Sequence, residues 1–312
     1  MPARLLTGDE ARELEPDLSP DIKSALLSTE TGIVDSHALM ESLERDISES
    51  ESGSVVCGTR VVRVDPAEGG WVVQMTTPSQ DGLEGRTKET DSVLAKTVIN
   101  STGLSGPFIL NSLRSILNPP SDLVPIWYAK GSYASYRGPG VSNVKHLIYP
   151  VPETGTTQHG FAGLGTHLTI DLGGNIKFGP DIEWIEPNMG RGTDHGASTV
   201  SDEEAVDFWT THLVASSTQI PSMFTSIQQY LPGISMEGLQ PDYVGIRPKL
   251  GPPGSGFHDF TFIMEKSGKY ARGSIPSDEG GIMLSLLGIE SPGLTGSLAI
   301  AEMIESELLP KT

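Results

Sequence analysis

Residues 280–308 read GGIMLSLLGIESPGLTGSLAIAEMIESEL. The apolar run 282–287 has the length of a fully buried strand. It leads into Gly288-Ile289-Glu290-Ser291-Pro292-Gly293-Leu294-Thr295. Ser291 and Pro292 suit the start of a helix, which the pattern predicts over 293–308. The free N–H groups and positive dipole end of that helix then project from the carboxyl edge of a sheet. Such a terminus stabilises negative charge, including the charge a reduced flavin carries at its N1–C2=O edge. Taken alone, the segment reads as an ordinary strand-to-helix turn, so its neighbours must decide.

A second string is Val98-Ile99-Asn100-Ser101-Thr102-Gly103. A strand ending in small residues and glycine lets a nucleotide or flavin approach the backbone, although many plain strands end this way. A third, GLGTHLTIDLGG at 163–174, puts His167 on a strand flanked by glycine. A lone histidine is usually a packed one, and His159 and His258 are read so. The fourth, YVGIRPKL at 243–250, alternates Tyr243, Gly245, Arg247 and Lys249 on one strand face. Arg247 offers a rigid bidentate fork for a carboxylate. The competing reading is a surface salt bridge.

Around these strings the chain predicts a short helix over 7–15 with Thr7 or Asp9 as cap and Pro16 after its end. A second helix, HALMESLERDI, follows a cap at Asp35 or Ser36; Leu39, Leu43 and Ile47 form one buried stripe. Strands at 54–64 and 71–75 make a hairpin about a turn at 65–70, with an exposed turn over 79–91. A strand at 96–100 precedes a helix over 106–117. Antiparallel strands fill 125–184, a helix capped by Ser201 fills 201–231, and strands lie near Phe260 and Ile282. The fold class is therefore α/β (α+β), a sheet into which a mixed β-domain is inserted.

The net charge of −19 disfavours nucleic acid and anionic membrane, whose phosphates it repels, and it makes a local basic pocket necessary for any anionic substrate. The single cysteine, Cys57, excludes an internal disulfide and a cysteine-built zinc site; its apolar flanks predict a buried thiol. No run has the length of a transmembrane segment. Asp9, Glu10, Glu13 and Glu15 near the start are unlike a transit or signal peptide.

In order along the chain, GIVDSHALM (32–40), INSTGL (99–104), YPVP (149–152), GLGTHLTIDLGG (163–174), FGPDIEW (178–184), GIRPKL (245–250) and LLGIESPGLT (286–295) resemble the L-2-hydroxyglutarate dehydrogenase family, called oxidase in bacteria. The resemblance implies FAD and oxidation of a small dicarboxylate, L-2-hydroxyglutarate, to 2-oxoglutarate, with the electron acceptor left open. It implies an FAD-binding Rossmann-like domain at 29–110 and 278–312, and an interleaved mixed or antiparallel substrate domain at 1–28 and 111–277. Ser101, Thr102, Gly103, Gly288, Ser291, Pro292, Gly293, Leu294 and Thr295 would lie against FAD. His167 would be the general base, with a pKa near working pH, Arg247 the carboxylate clamp, and Lys249 and Tyr243 its helpers. The family also implies a mitochondrial location, whereas the chain itself reads as compatible with the cytoplasm.

The sequence departs from the family at its start. The family opens on a strand, a G-x-G-x-x-G turn and a helix that hold the pyrophosphate. Such a unit takes on the order of 30 residues or more, and GIVDSHALM is not preceded by one. The expectation is a fragment, an internal-start product or an incomplete gene model, which neither retains stoichiometric FAD nor turns over L-2-hydroxyglutarate alone. The alternatives are a non-catalytic remnant and a related amino-acid or glycine oxidase.

Overall fold

Thr7 closes strand β1 (Ala3–Thr7) and caps helix α1 (Gly8–Leu14). Its hydroxyl accepts from the Glu10 N–H at 3.2 Å, and the Glu10 carboxylate accepts from the Thr7 N–H at 2.8 Å. This capping box satisfies two donors that a helix start leaves free. Strand β2 (Ser24–Ser28) returns antiparallel to β1. Helix α2 (Ser36–Glu49) starts at Asp35, whose carboxylate accepts from the N–H groups of His37 and Ala38. The computed structural model describes residues 2–77, 89–117, 122–125, 127–151, 165–185, 208–271, 276 and 279–309.

Strands β3 (Arg60–Ala67), β4 (Gly70–Thr77) and β5 (Glu89–Ala95) form an antiparallel meander. The expected hairpin is present, but β3 starts later than 54 and its turn is confined to Glu68 and Gly69. Strand β5 falls at the end of the polar tract read as an exposed turn; its acids Glu89 and Asp91 disguised a short alternation. Residues 78–88 lie outside the described residues.

Strand β6 (Thr97–Asn100) runs parallel to β13 (Ile282–Leu287), with Asn100 level with Ser285. Strand β12 (Thr261–Lys266) pairs antiparallel with the other edge of β13. All six residues of β13 are buried, as the apolar run predicted. Among the described strands β6 pairs with β13 alone, so its second edge has no strand partner among the described residues. Helix α3 (Gly106–Arg114) packs against β3 and β13, where Leu113 joins Val64, Trp71, Tyr270 and Met283 in one core.

The larger sheet is antiparallel and centres on β7 (Trp127–Tyr136). Strand β11 (Leu239–Lys249) lies along one edge of β7, with a bulge between Pro241 and Val244. Strands β9 (Ile176–Gly179) and β10 (Glu183–Ile185) share the other edge, and β8 (His167–Ile170) adds outside β9. Helix α4 (Ile220–Gln228) covers this sheet by packing Met223 and Ile227 against Ala134, Leu168 and Phe178. Helix α5 (Gly293–Met303) and a π-helical turn (Ile304–Leu308) follow β13. The architecture is thus α/β (α+β), with a mixed sheet and a separate antiparallel sheet, as expected.

Three expectations fail. Helix α2 buries none of its residues: Leu43 is 39% and Ile47 41% exposed, because nothing among the described residues packs on that stripe. Cys57 is exposed, in a turn before β3 rather than in a strand. The helix predicted over 201–231 is described only from 208, and there it is broken into 3₁₀ turns (Phe208–His212 and Ser217–Gln219) before α4. The Ser216 hydroxyl takes the Thr218 N–H, and Pro221 fits only the first turn of a helix, so α4 starts afresh at Ile220.

Candidate active site

Strand β8 starts on His167, two residues after Gly165, which adopts φ +72°. The turn points the imidazole inward, where it is only 5% exposed. Its Nδ1 lies 3.1 Å from the Gly165 carbonyl oxygen, which can only accept, so Nδ1 carries the proton and Nε2 keeps its lone pair. Burial, with a contribution from the Arg247 charge, pulls the imidazole down to about 4 against the Gly165 bond, which pushes the other way. The expectation of a histidine titrating near working pH is therefore corrected. This ring is neutral at pH 7.

Aromatic rings surround it. Tyr149 stacks on the imidazole with centroids 3.9 Å apart, and Tyr133 meets it edge-on at 6.5 Å. Tyr133 in turn stacks on Tyr243 at 4.3 Å. Gly179, paired with His167 across the β8–β9 ladder, has φ +147°, and a Cβ there would stand 2.6 Å from the Tyr133 ring. A side chain at 179 would therefore push the cluster apart. Lys177 sits over the Tyr243 ring at 5.0 Å and is neutralised by Asp242 at 2.7 Å.

Strand β11 brings the cations. Lys249 donates to Glu290 Oε1 at 2.7 Å, and Arg247 Nη1 stands 3.8 Å from Glu290 Oε2. The second distance is too long for a hydrogen bond, so the Arg247 fork keeps its donors for another acceptor. Arg247, Tyr243 and His167 thus lie in one cluster, while Lys249 is occupied by an acid.

Glu290 belongs to the turn between β13 and α5, which joins the cation pair to the second group of expected residues. Gly288 there has φ +66°, and Leu250 at the end of β11 packs against it. The 3₁₀ turn Gly103–Ser105 after β6 also packs against β11. Because β6 and β13 are parallel neighbours, Ser101, Thr102 and Gly103 lie beside Gly288, Ser291, Pro292, Gly293, Leu294 and Thr295 at one carboxyl edge. Asn100 fastens this edge by donating to the Gly106 carbonyl at 2.8 Å and to Ser285 Oγ at 3.2 Å. Its Oδ1 accepts from Thr102 Oγ1. Helix α5 starts without a side-chain cap and without an acid in its first turn, and Leu294 and Thr295 there are exposed. An open, electropositive terminus of this kind fits the negative edge of a flavin. No glycine-rich strand–turn–helix stands beside β6 among the described residues.

Tyr133, Tyr149 and Glu290 escaped the sequence reading as site residues. Tyr149 and Glu290 lie inside the strings YPVP and LLGIESPGLT, and Tyr133 carries no local signal. His258 is exposed and meets Ser255 rather than a core, and His159 lies outside the described residues.

The FAD dependent oxidoreductase family matches residues 1–306. The mitochondrial L-2-hydroxyglutarate dehydrogenase of Arabidopsis thaliana is 32% identical, covering 98% of this chain and 60% of that protein. The L-2-hydroxyglutarate dehydrogenase of Escherichia coli K12 is 24% identical over 83% of this chain and 58% of its own length. The chain thus spans about three-fifths of the curated relatives it matches. Among solved structures, L-proline dehydrogenase from P. horikoshii superposes with a TM-score of 0.59 at 14% identity, over 99% of this chain and 66% of that one. FAD-bound L-α-glycerophosphate oxidase from Mycoplasma pneumoniae gives 0.55 at 16% identity, over 96% and 62%.

Proposed function

This chain belongs to the FAD dependent oxidoreductase family, whose cofactor is FAD, and on that premise we propose that it serves the oxidation of L-2-hydroxyglutarate to 2-oxoglutarate. The observation that carries the reading is the meeting of a neutral, buried His167 with an Arg247 fork beside the turn at 288–295. A 2-hydroxy acid needs a proton acceptor next to a carboxylate anchor. The names of the plant and bacterial relatives supply the substrate, and the plant and bovine names a mitochondrial location. We assign 29–110 and 278–312 to the FAD-binding domain and the remainder to the substrate domain.

FAD, when bound, supplies the acceptor for the hydride that leaves C2. The protein's own residues do the rest. Arg247 takes the C1 carboxylate through two parallel N–H···O bonds. His167 Nε2 accepts the hydroxyl proton as C2–O becomes a carbonyl. An imidazole held near 4, chiefly by burial and to a smaller degree by the Arg247 charge, is a weak base, and a bound carboxylate offsets the Arg247 part of that depression. Tyr133 and Tyr149 pack against the His167 imidazole and shield that ring from water.

Two measurements test the reading in protein given excess FAD. Anaerobic mixing with L-2-hydroxyglutarate should bleach the flavin absorbance, and the D enantiomer should not. Independently of flavin, 2-oxoglutarate should raise the thermal midpoint. Bleaching by an amino acid but not by L-2-hydroxyglutarate would assign the chain to a different substrate.

A further inference from the structure

The carboxylate of Glu290 is placed where a second acid is an obstacle to binding an acid. It is only 14% exposed, its Oε1 is held by Lys249 at 2.7 Å, and its Oε2 is buried without a hydrogen bond, facing Arg247 at 3.8 Å. The backbone at this residue is pinned at both ends. Its N–H donates to the Gly288 carbonyl at 3.0 Å, and its carbonyl accepts from the Gly293 N–H. These bonds fix the Cα of Glu290 in the turn between β13 and α5, and Lys249 holds its carboxylate in place.

We propose that Glu290 is the specificity-determining charge of the pocket, setting it to accept one carboxylate at Arg247 and to refuse a second at the same place. Two cations facing one carboxylate leave a single positive charge. Lys249 is consumed by Glu290, so the fork of Arg247 is the uncompensated group. One entering carboxylate makes the cluster neutral, and a second would leave a buried excess of negative charge, which is costly in a low-dielectric site. Lys177 offers no relief because Asp242 already holds it at 2.7 Å. Without Glu290 the two cations would bind anions more tightly and with less discrimination. The ligand class is thus a 2-hydroxy or 2-oxo acid that presents one carboxylate to Arg247, any further acidic group lying away from Lys249. The inference rests on the reading of Arg247 as the anchor given above.

The test is a charge-count cycle read by calorimetric binding of 2-oxoglutarate and of L-lactate to the full chain with FAD present. Glu290→Gln should tighten binding about tenfold, the effect of deleting one charge a few ångströms from the ligand in a partly buried site. Lys249→Met should weaken it by a similar factor. The double variant, which restores a net charge of one, should return to within about threefold of the unaltered protein. A merely structural role predicts weaker binding in all three, and that result overturns the proposal, as does a double variant that fails to recover. If Glu290→Gln alone does not fold, the double variant carries the decision by the same criterion. If L-lactate follows the cycle while 2-oxoglutarate does not bind, the assignment of Glu290 stands and the substrate proposed above falls.

Discussion

Tyr149 lies flat on the imidazole of His167, with ring centroids 3.9 Å apart and planes 11° from parallel. The ring cannot tilt without losing that face, so the stack aims Nε2. Tyr149→Phe should keep the aim and the rate of flavin reduction. Tyr149→Ala gives up a contact worth about 0.5–1.5 kcal/mol, and reduction should slow by up to about tenfold with little change in KM. Stopped-flow mixing with substrate under anaerobic conditions reads both, and equal rates in the two variants would remove the stack from the mechanism.

His167 should make stability fall with acid. Its folded-state value of about 4 lies below the ordinary 6.5, so the unfolded chain binds the proton first as pH drops. The contribution is intact above pH 6.5 and is lost progressively down to pH 4, by at most about 3 kcal/mol. Urea midpoints of the unaltered protein and His167→Gln should converge or cross over that window. Parallel pH curves would show that the ring is not buried as a neutral group. In the flavin-loaded protein, His167→Ala should also slow reduction by about 10²–10⁴, the range for loss of a general base.

Arg247→Ala should weaken 2-oxoglutarate binding by the equivalent of about 1.5–3 kcal/mol, the typical contribution of a hydrogen bond to a charged group. Arg247→Lys should rescue little, since an ammonium lacks the fork. Thermal shift against ligand concentration distinguishes the cases. Unchanged affinity in both would place the carboxylate elsewhere.

The second edge of β6, which has no strand partner among the described residues, and the bare face of α2 predict weak cofactor retention. Ile99 on β6 is 45% exposed, and the Leu43 and Ile47 stripe has no cover among the described residues. An unpaired strand edge and uncovered apolar side chains, each worth about 1.5–3 kcal/mol when buried, also favour self-association. The protein purified without added flavin should carry well below one FAD per chain and bind a hydrophobic dye. Leu43→Gln with Ile47→Gln should reduce dye binding and leave the melting temperature within a few degrees, because solvent-facing changes seldom exceed about 0.5 kcal/mol. A yellow, monomeric preparation at one flavin per chain sinks this expectation.

Legibility in the sequence followed where each constraint resides. Local constraints were plain: the two helix starts, each with its cap narrowed to two residues, the apolar run of β13 and the glycine that ends it are properties of neighbouring residues. The period of α2 was also legible, but not what covers its stripe, since periodicity states that a face is apolar and not which partner meets it. His167 and Arg247 were visible as residue types on strands; the weak basicity of His167 was not, because burial and the nearby guanidinium come from β8 and β11 folding together. Tyr133 was invisible for the same reason, as its meaning arises only from Gly179 making room for it on the adjacent strand.

The hydrogen bond from Asn100 to Ser285 joins positions 185 residues apart in the chain. At about 5–20 residues per second, a ribosome needs roughly 10–40 s to make that interval. Strand β6 therefore emerges long before β13, its parallel partner, exists. The meander β3–β5 and the β8–β9 pair close over short separations and form early, whereas the parallel pair β6–β13 waits for the last part of the chain. During that wait β6 has no strand partner among the described residues, so its unpaired edges are open to wrong pairings until β13 arrives, and pauses in translation between these two strands lengthen that exposure.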